Sequence, residues 1–284
     1  MAPRIWRRIC RVTVDSLAVE QLRVGFTIEQ SLAKETNRSE VSIYNLAESS
    51  RNAMHKADAK AKVVVEAGYE ETGLSLIFAG EMRAAYSRPD SDGATWITVL
   101  RAGDGDKGAR RTRKKAKTSG VRPGVSLDRV MSDLASRMGV GIGNVGAELR
   151  KGNLSFEGLG QAFARGLNYS GSEYELMQKL ARSAGHELSI QGNEFQLIKR
   201  GGVLSVQATV LNRDSGLEGS PEIDTKGIMS FRARILPGLE CGYPVQIESL
   251  TSYGTGLWRI EKRRVIGDTR EQDWVVEGKG REIR

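Results

Sequence analysis

Val63 to Leu100 reads VVVEAGYEETGLSLIFAGEMRAAYSRPDSDGATWITVL, and its periodicity decides the fold class. Leu74, Leu76, Phe78 and Met82 fall two or four residues apart, with Ser75 and Glu81 between them, which is the spacing of one apolar strand face. Upstream, Val63, Val64 and Val65 form a β-branched run ending at Gly68 and Tyr69, and the short polar stretch Glu70 to Gly73 turns the chain back into a hairpin. Trp96, Thr98 and Leu100 then alternate with Ile97 and Val99 after a Pro89 to Gly93 turn, so a third strand is expected.

The flanking sequence extends the pattern. Cys10, Val12 and Val14 alternate with polar residues, and Leu22, Val24, Phe26 and Ile28 do so over a longer run; Ser39 to Leu46 reads as another strand and Ala47 to Lys56 as a short helix. Residues 104–122 lose all periodicity and read as a basic, flexible loop. Beyond it, Ser126 can cap a helix whose Leu127, Val130, Met131, Leu134 and Met138 share one face. A second helix starts at Ser172-Glu173-Tyr174-Glu175, which has capping-box spacing, and stops at Gly185. Leu188 to Ile190 and Phe195 to Ile198 are joined at Gly192-Asn193 as a tight hairpin. Strand patterns return at Met229 to Ile235, Val245 to Ile247, Leu257 to Val265 and Trp274 to Glu277. The expected class is α+β, mostly β, with two β-barrel-like domains at 1–103 and 200–284 and a small α+β module at 123–199 between them.

The 43 Lys and Arg against 35 Asp and Glu give a net charge of +8. Arg4, Arg7, Arg8 and Arg11 with Arg110, Arg111, Arg113, Lys114, Lys115 and Lys117 account for the excess: without these ten, 33 basic residues face 35 acidic ones. Such a run fits a solvated loop or an acidic partner better than a dedicated nucleic-acid surface, although it can bind phosphate through counterion release. Cys10 and Cys241 give no disulfide framework and are expected to be reduced thiols. No apolar run has the length of a signal core or a membrane span, so a protein soluble when made, with no membrane insertion, is expected.

Signals for chemistry are weak. Gly141 to Gly146 and Gly103 to Gly108 match the dinucleotide fingerprint in spelling, but neither sits between a strand and a helix as the pyrophosphate requires. The two histidines, His55 and His186, have no cysteine or second histidine at metal-ligand spacing. A calcium loop at Asp104 and Asp106 runs into basic residues where further acidic ligands would stand. Glu157 and Glu175 read as surface acids, not a glycosidase pair. Tyr69, Phe78, Trp96, Trp258 and Trp274 read as core or subunit contacts rather than base-stacking platforms. No catalytic residue, cofactor or metal is expected.

The order Ser42-Ile43-Tyr44-Asn45-Leu46, Ala67-Gly68-Tyr69, Ile77-Phe78-Ala79-Gly80-Glu81 and Gly103-Asp104-Gly105 resembles the first barrel of bacteriophage baseplate hub proteins, which share their fold with secretion-system spikes. Ile235-Leu236-Pro237-Gly238, Gly242-Tyr243-Pro244-Val245-Gln246-Ile247, Gly256-Leu257-Trp258-Arg259-Ile260, Gly267-Asp268 and Asp273-Trp274 resemble the last barrel of that family. The resemblance implies a non-enzymatic homotrimer in the tail baseplate of a virion, assembled in host cytoplasm. It would join a six-fold tail tube to a three-fold spike around a channel that DNA crosses in transit, with tape-measure protein and baseplate wedges as further neighbours. Under it, Arg110, Arg111, Arg113, Lys114, Lys115 and Lys117 are expected at the lumen or a partner, and Arg4, Trp6, Arg7 and Arg8 at an N-terminal contact. The alternatives are a peptidoglycan-degrading tail enzyme and a basic nucleic-acid-binding protein.

Overall fold

The computed structural model describes residues 7–33, 37–58, 61–91, 93–104, 117–125, 127–150, 167–251, 253–271 and 273–283. The chain forms two compact units, Met1–Asp104 together with Val203–Arg284, and Gly105–Gly202.

The first unit is built from β1 (Arg8–Val14), β2 (Leu17–Val19), β3 (Val24–Ser31), β4 (Arg38–Tyr44), α1 (Glu48–Lys56), β5 (Lys62–Tyr69), β6 (Gly73–Pro89) and β7 (Trp96–Gly103). After the second unit the chain returns to it with β12 (Thr209–Leu211), β13 (Leu217–Ile223), β14 (Ile228–Arg234), β15 (Pro244–Ile247), β16 (Gly256–Asp268) and β17 (Trp274–Glu282). These strands make one sheet in the order β13-β14-β17-β16-β3-β4-β7-β6-β5-β1-β2, with β15 and β12 branching from β16. The two β segments expected from the sequence are therefore two arms of one sheet. They join where β16 pairs antiparallel with β3 from Lys262↔Ser31 to Asp268↔Gly25.

The alternation read in the sequence fixes which face is covered. In β3, Val24, Phe26, Ile28 and Gln30 point inward and Gly25, Thr27, Glu29 and Ser31 outward. One apolar cluster draws on both arms, from Val12, Ile43 and Phe78 to Met229, Val245 and Ile260. The sheet curls enough for distant strands to meet: Trp274 stands edge-on to Phe26 at 5.4 Å and to Tyr69 at 6.5 Å, although β3 and β5 are not neighbours in the sheet.

The expected hairpin at 63–82 is present as β5 and β6, with a difference on its inner face. The register shifts between Val65 and Glu66, opposite Phe78 and Leu76, so Ile77 is the extra residue of a bulge. Ile77 is buried and Leu76 is turned out, half exposed, where a regular strand would bury it.

The second unit contains β8 (Lys117–Val121), α2 (Leu127–Met138), α3 (Val145–Arg150), β9 (Leu167–Gly171), α4 (Glu173–Ser183), β10 (His186–Gln191) and β11 (Glu194–Lys199). The expected stripes form its core: Val130, Met131, Leu134 and Met138 of α2 pack with Tyr174, Met177 and Leu180 of α4 and with Phe195 and Leu197 of β11. Ser172 accepts from the Glu175 amide while the Glu175 carboxylate accepts from the Ser172 amide, so the capping box is complete. Gly192 and Asn193 both have positive φ, 62° and 64°, as a two-residue hairpin loop requires. The end of the expected linker holds β8, whose partner β9 supplies the ladder hydrogen bonds that its own sequence does not announce. Ser126 lies outside the described residues.

Candidate interaction face of the sheet

The inward set of each strand builds the core, and the outward set forms the surface of the first unit. Glu218, Arg232, Glu277, Arg264, Glu29 and Arg38 are successive partners across β13, β14, β17, β16, β3 and β4. Charge alternates at every step. Arg232 lies 3.1 Å from Glu218 and 3.0 Å from Glu277; Arg264 lies 3.7 Å from Glu277 and 3.8 Å from Glu29; and Arg38 donates to Glu29 at 2.7 Å. Opposite charges directly across a ladder attract, and here each interior member serves two neighbours. A second row begins beside it, with Glu40 2.8 Å from Arg101. Two grooves, of about 400 and 530 Å³, are lined in part by the ladder itself and share Glu29.

Because these pairs are solvent-exposed, each contributes little to stability. Arg264→Gln is expected to lower the unfolding free energy by less than about 1 kcal/mol, since water replaces both contacts. A chemical denaturation midpoint, read at low and high salt, checks this. A larger loss insensitive to salt would mean that Arg264 packs rather than pairs.

Other outward residues are apolar. Val210 of β12 and Leu257 of β16 flank Gln246 of β15 and are half exposed, and Leu250 in the following loop is 80% exposed. Trp96 and Tyr86 lie near Arg51 and Arg101, whose guanidinium carbons stand 5.1 and 5.5 Å from the ring centroids.

Arg110, Arg111, Arg113, Lys114 and Lys115, and Arg4 and Trp6, lie outside the described residues, and Lys117 opens β8. Arg7 forms a 3.2 Å ion pair with Glu70. Arg8 is engaged within the unit: it donates to the carbonyls of Asp268 at 2.9 Å, Glu271 and Asp273, and lies over Trp274. Tyr69, Phe78, Trp258 and Trp274 are buried in the core. His186 is buried, with Nδ1 2.7 Å from the Ala184 carbonyl, and His55 meets the Ser87 hydroxyl at 2.9 Å. Burial pushes the thiols of Cys10 and Cys241 up to about 12, so neither is a thiolate nucleophile at neutral pH. Among the described residues no three His, Cys, Asp or Glu side chains stand together as a metal site. No helix among them is long and apolar enough to cross a membrane.

The charge ladder was not visible in the sequence. Its members lie on six strands, and only the pairing of β16 with β3 aligns Arg264 with Glu29.

This chain, mostly β, with its N- and C-terminal β segments joined through β16 and β3 in one sheet and an α+β unit between them in sequence, shares its fold with phage tail proteins of known structure. Solved structures similar to it include the 43 kDa tail protein of prophage MuSo2 from Shewanella oneidensis, at 9% identity over 97% of each chain with a TM-score of 0.62. The tail protein from Neisseria meningitidis MC58 matches at 10% identity over 98% of this chain and 97% of that one, with a TM-score of 0.61. The E. coli c3393 protein, a type VI secretion component with structural similarity to the T4 bacteriophage tail proteins gp27 and gp5, matches at 8% identity over 96% and 77% of the two chains, with a TM-score of 0.53. No protein-family model matches the sequence, and no curated protein matches it. At these identities the likeness is one of fold.

Proposed function

We propose that the chain is a structural tail protein that works as the baseplate hub, without catalysis. Three copies form a ring whose two β arms per copy present six similar lobes to a hexameric tail tube, and whose other side carries a three-fold spike. The observation that carries this reading is the extent of the likeness: it spans nearly the whole of this chain and of two tail proteins, inserted unit included. A closed ring needs heterologous contacts that close, and the outward face of the sheet offers charged and apolar surfaces for them. In this reading the arms at 1–103 and 200–284 act as the barrel-like lobes, and 104–122 joins them to the module at 123–199. Arg110 to Lys117 then line the channel or meet a wedge, Arg4 and Trp6 meet a neighbouring subunit, and DNA passes only in transit.

The native mass of the purified protein, alone and with the adjacent spike protein, tests the proposal, together with averaged negative-stain images. Three-fold particles with six lobes around a pore are expected. A monomer that ignores the spike would remove the hub reading, and clearing of a peptidoglycan zymogram by the pure protein would replace it with a lytic one.

A further inference from the structure

On the same outward face, one step from the charge ladder, runs the row Glu222, Ser230, Lys279, Lys262 and Ser31, again successive partners across β13, β14, β17, β16 and β3. Here the alternation fails. Lys279 and Lys262 are directly opposed, a like-charge arrangement that destabilises a strand pair. Both are exposed and both line the 400 Å³ groove; among the described residues neither has an acid within ion-pair distance, and the charge acting on Lys279 is that of Asp224, whose carboxyl is held below the usual range by the Ile228 amide and, more weakly, by Lys279. Ser230, the neighbour of Lys279 across β14, carries a hydroxyl that can donate to an anion.

We propose that Lys262 and Lys279 hold a carboxylate from an acidic side chain of a neighbouring protein subunit, which supplies the charge that this row lacks. The inference rests on the reading of the chain as a tail component. The surroundings select a single carboxylate over a nucleic-acid backbone. Glu29, Glu218, Glu222 and Glu277 line the same groove. A duplex carrying one charge per roughly 1.7 Å along its axis would be laid against all of those acids, whereas a single carboxylate can seat on the two ammonium groups with a much smaller footprint.

The test uses full-length protein in which Arg110, Arg111, Arg113, Lys114, Lys115 and Lys117 are glutamine, so that the basic stretch does not compete. A fluorescein-labelled hexaglutamate peptide is titrated by anisotropy at low salt, with a short DNA duplex as the comparison. Adding K262Q/K279Q is expected to weaken peptide binding about tenfold or more, the scale of one lost charge-assisted contact, and to leave duplex binding unchanged; K262R/K279R keeps the peptide affinity. Equal peptide affinity with and without K262Q/K279Q, or a loss confined to the duplex, would overturn the proposal. The native mass of the unmodified protein reports the hub reading separately. A ring without peptide binding sinks only the lysine site, and peptide binding without a ring sinks only the hub.

Discussion

Arg263→Ala is expected to cost the β unit about 3–5 kcal/mol of stability, the range for removing one partner from a buried charged network. The side chain is 5% exposed, and its guanidinium is shared among three segments. Nε donates to Gln30 Oε1 at 2.6 Å, and the two terminal nitrogens donate to the Leu239 carbonyl at 2.6 Å and the Ile77 carbonyl at 3.0 Å. These acceptors come from β3, from the loop after β14 and from the bulge of β6, so one residue of β16 ties both arms together. Truncation leaves three buried acceptors without a donor and a hole where the side chain stood. Arg263→Lys restores one or two of those bonds but not the planar fork, and should recover only part of the loss. Trp6, Trp96, Trp258 and Trp274 are the chain's four tryptophans and all fall within this unit, so the midpoint of tryptophan fluorescence in urea reports it directly. A shift worth under about 1 kcal/mol would mean that water reaches the three acceptors once the arginine is gone.

Gly143→Ala is expected to act on the other unit, by about 3 kcal/mol from backbone strain and overpacking together. Gly143 has φ +55°, and a Cβ there would stand 1.8 Å from the Phe195 carbonyl oxygen, an overlap with backbone that no rotamer change relieves. The close approach has a purpose. Asn144 donates from Nδ2 to the Leu197 carbonyl at 2.8 Å and accepts from the Leu197 amide at 2.7 Å, so its side-chain amide pairs with β11 as a strand would. The helical signal of α2 and α4 in circular dichroism should melt early in the variant, while tryptophan fluorescence keeps its wild-type midpoint. Coincident early transitions by both probes would mean that the units unfold as one.

What could be read from the sequence was whatever depends on near neighbours. The Ser172–Glu175 box, the Gly192-Asn193 turn and the alternation of β3 are local, and each is decided by residues within a few positions of one another. The bulge at Ile77 was hidden because Leu76, Phe78 and Met82 fit a regular strand equally well, and only the pairing with β5 displaces Leu76 outward. The adjacent residues Arg263 and Arg264 make the limit plain. One is clamped in the core and the other rides the exposed ladder, and nothing in the run Lys262-Arg263-Arg264 distinguishes them without β3 alongside. For the same reason the opposed lysines were invisible: Lys262 and Lys279 become neighbours only through the register of β16 and β17, which shifts between Ile260 and Lys262. The branch at β12, parallel to β15 over three residues, is too short to leave a periodic signal.

The joining of β16 to β3 also sets the order in which a growing chain can finish itself. As translation proceeds, β3 can pair with β4 at once, but its other edge stays bare until Gly256–Asp268 has left the ribosome, after the whole second unit has been made. Val24, Phe26 and Ile28 lie on that strand, so the unfinished protein carries an apolar strand with an open edge for most of its synthesis. Stop codons placed between β3 and β16 should therefore yield aggregates rather than smaller soluble proteins, and early folding should depend on whatever shields β3 while it waits.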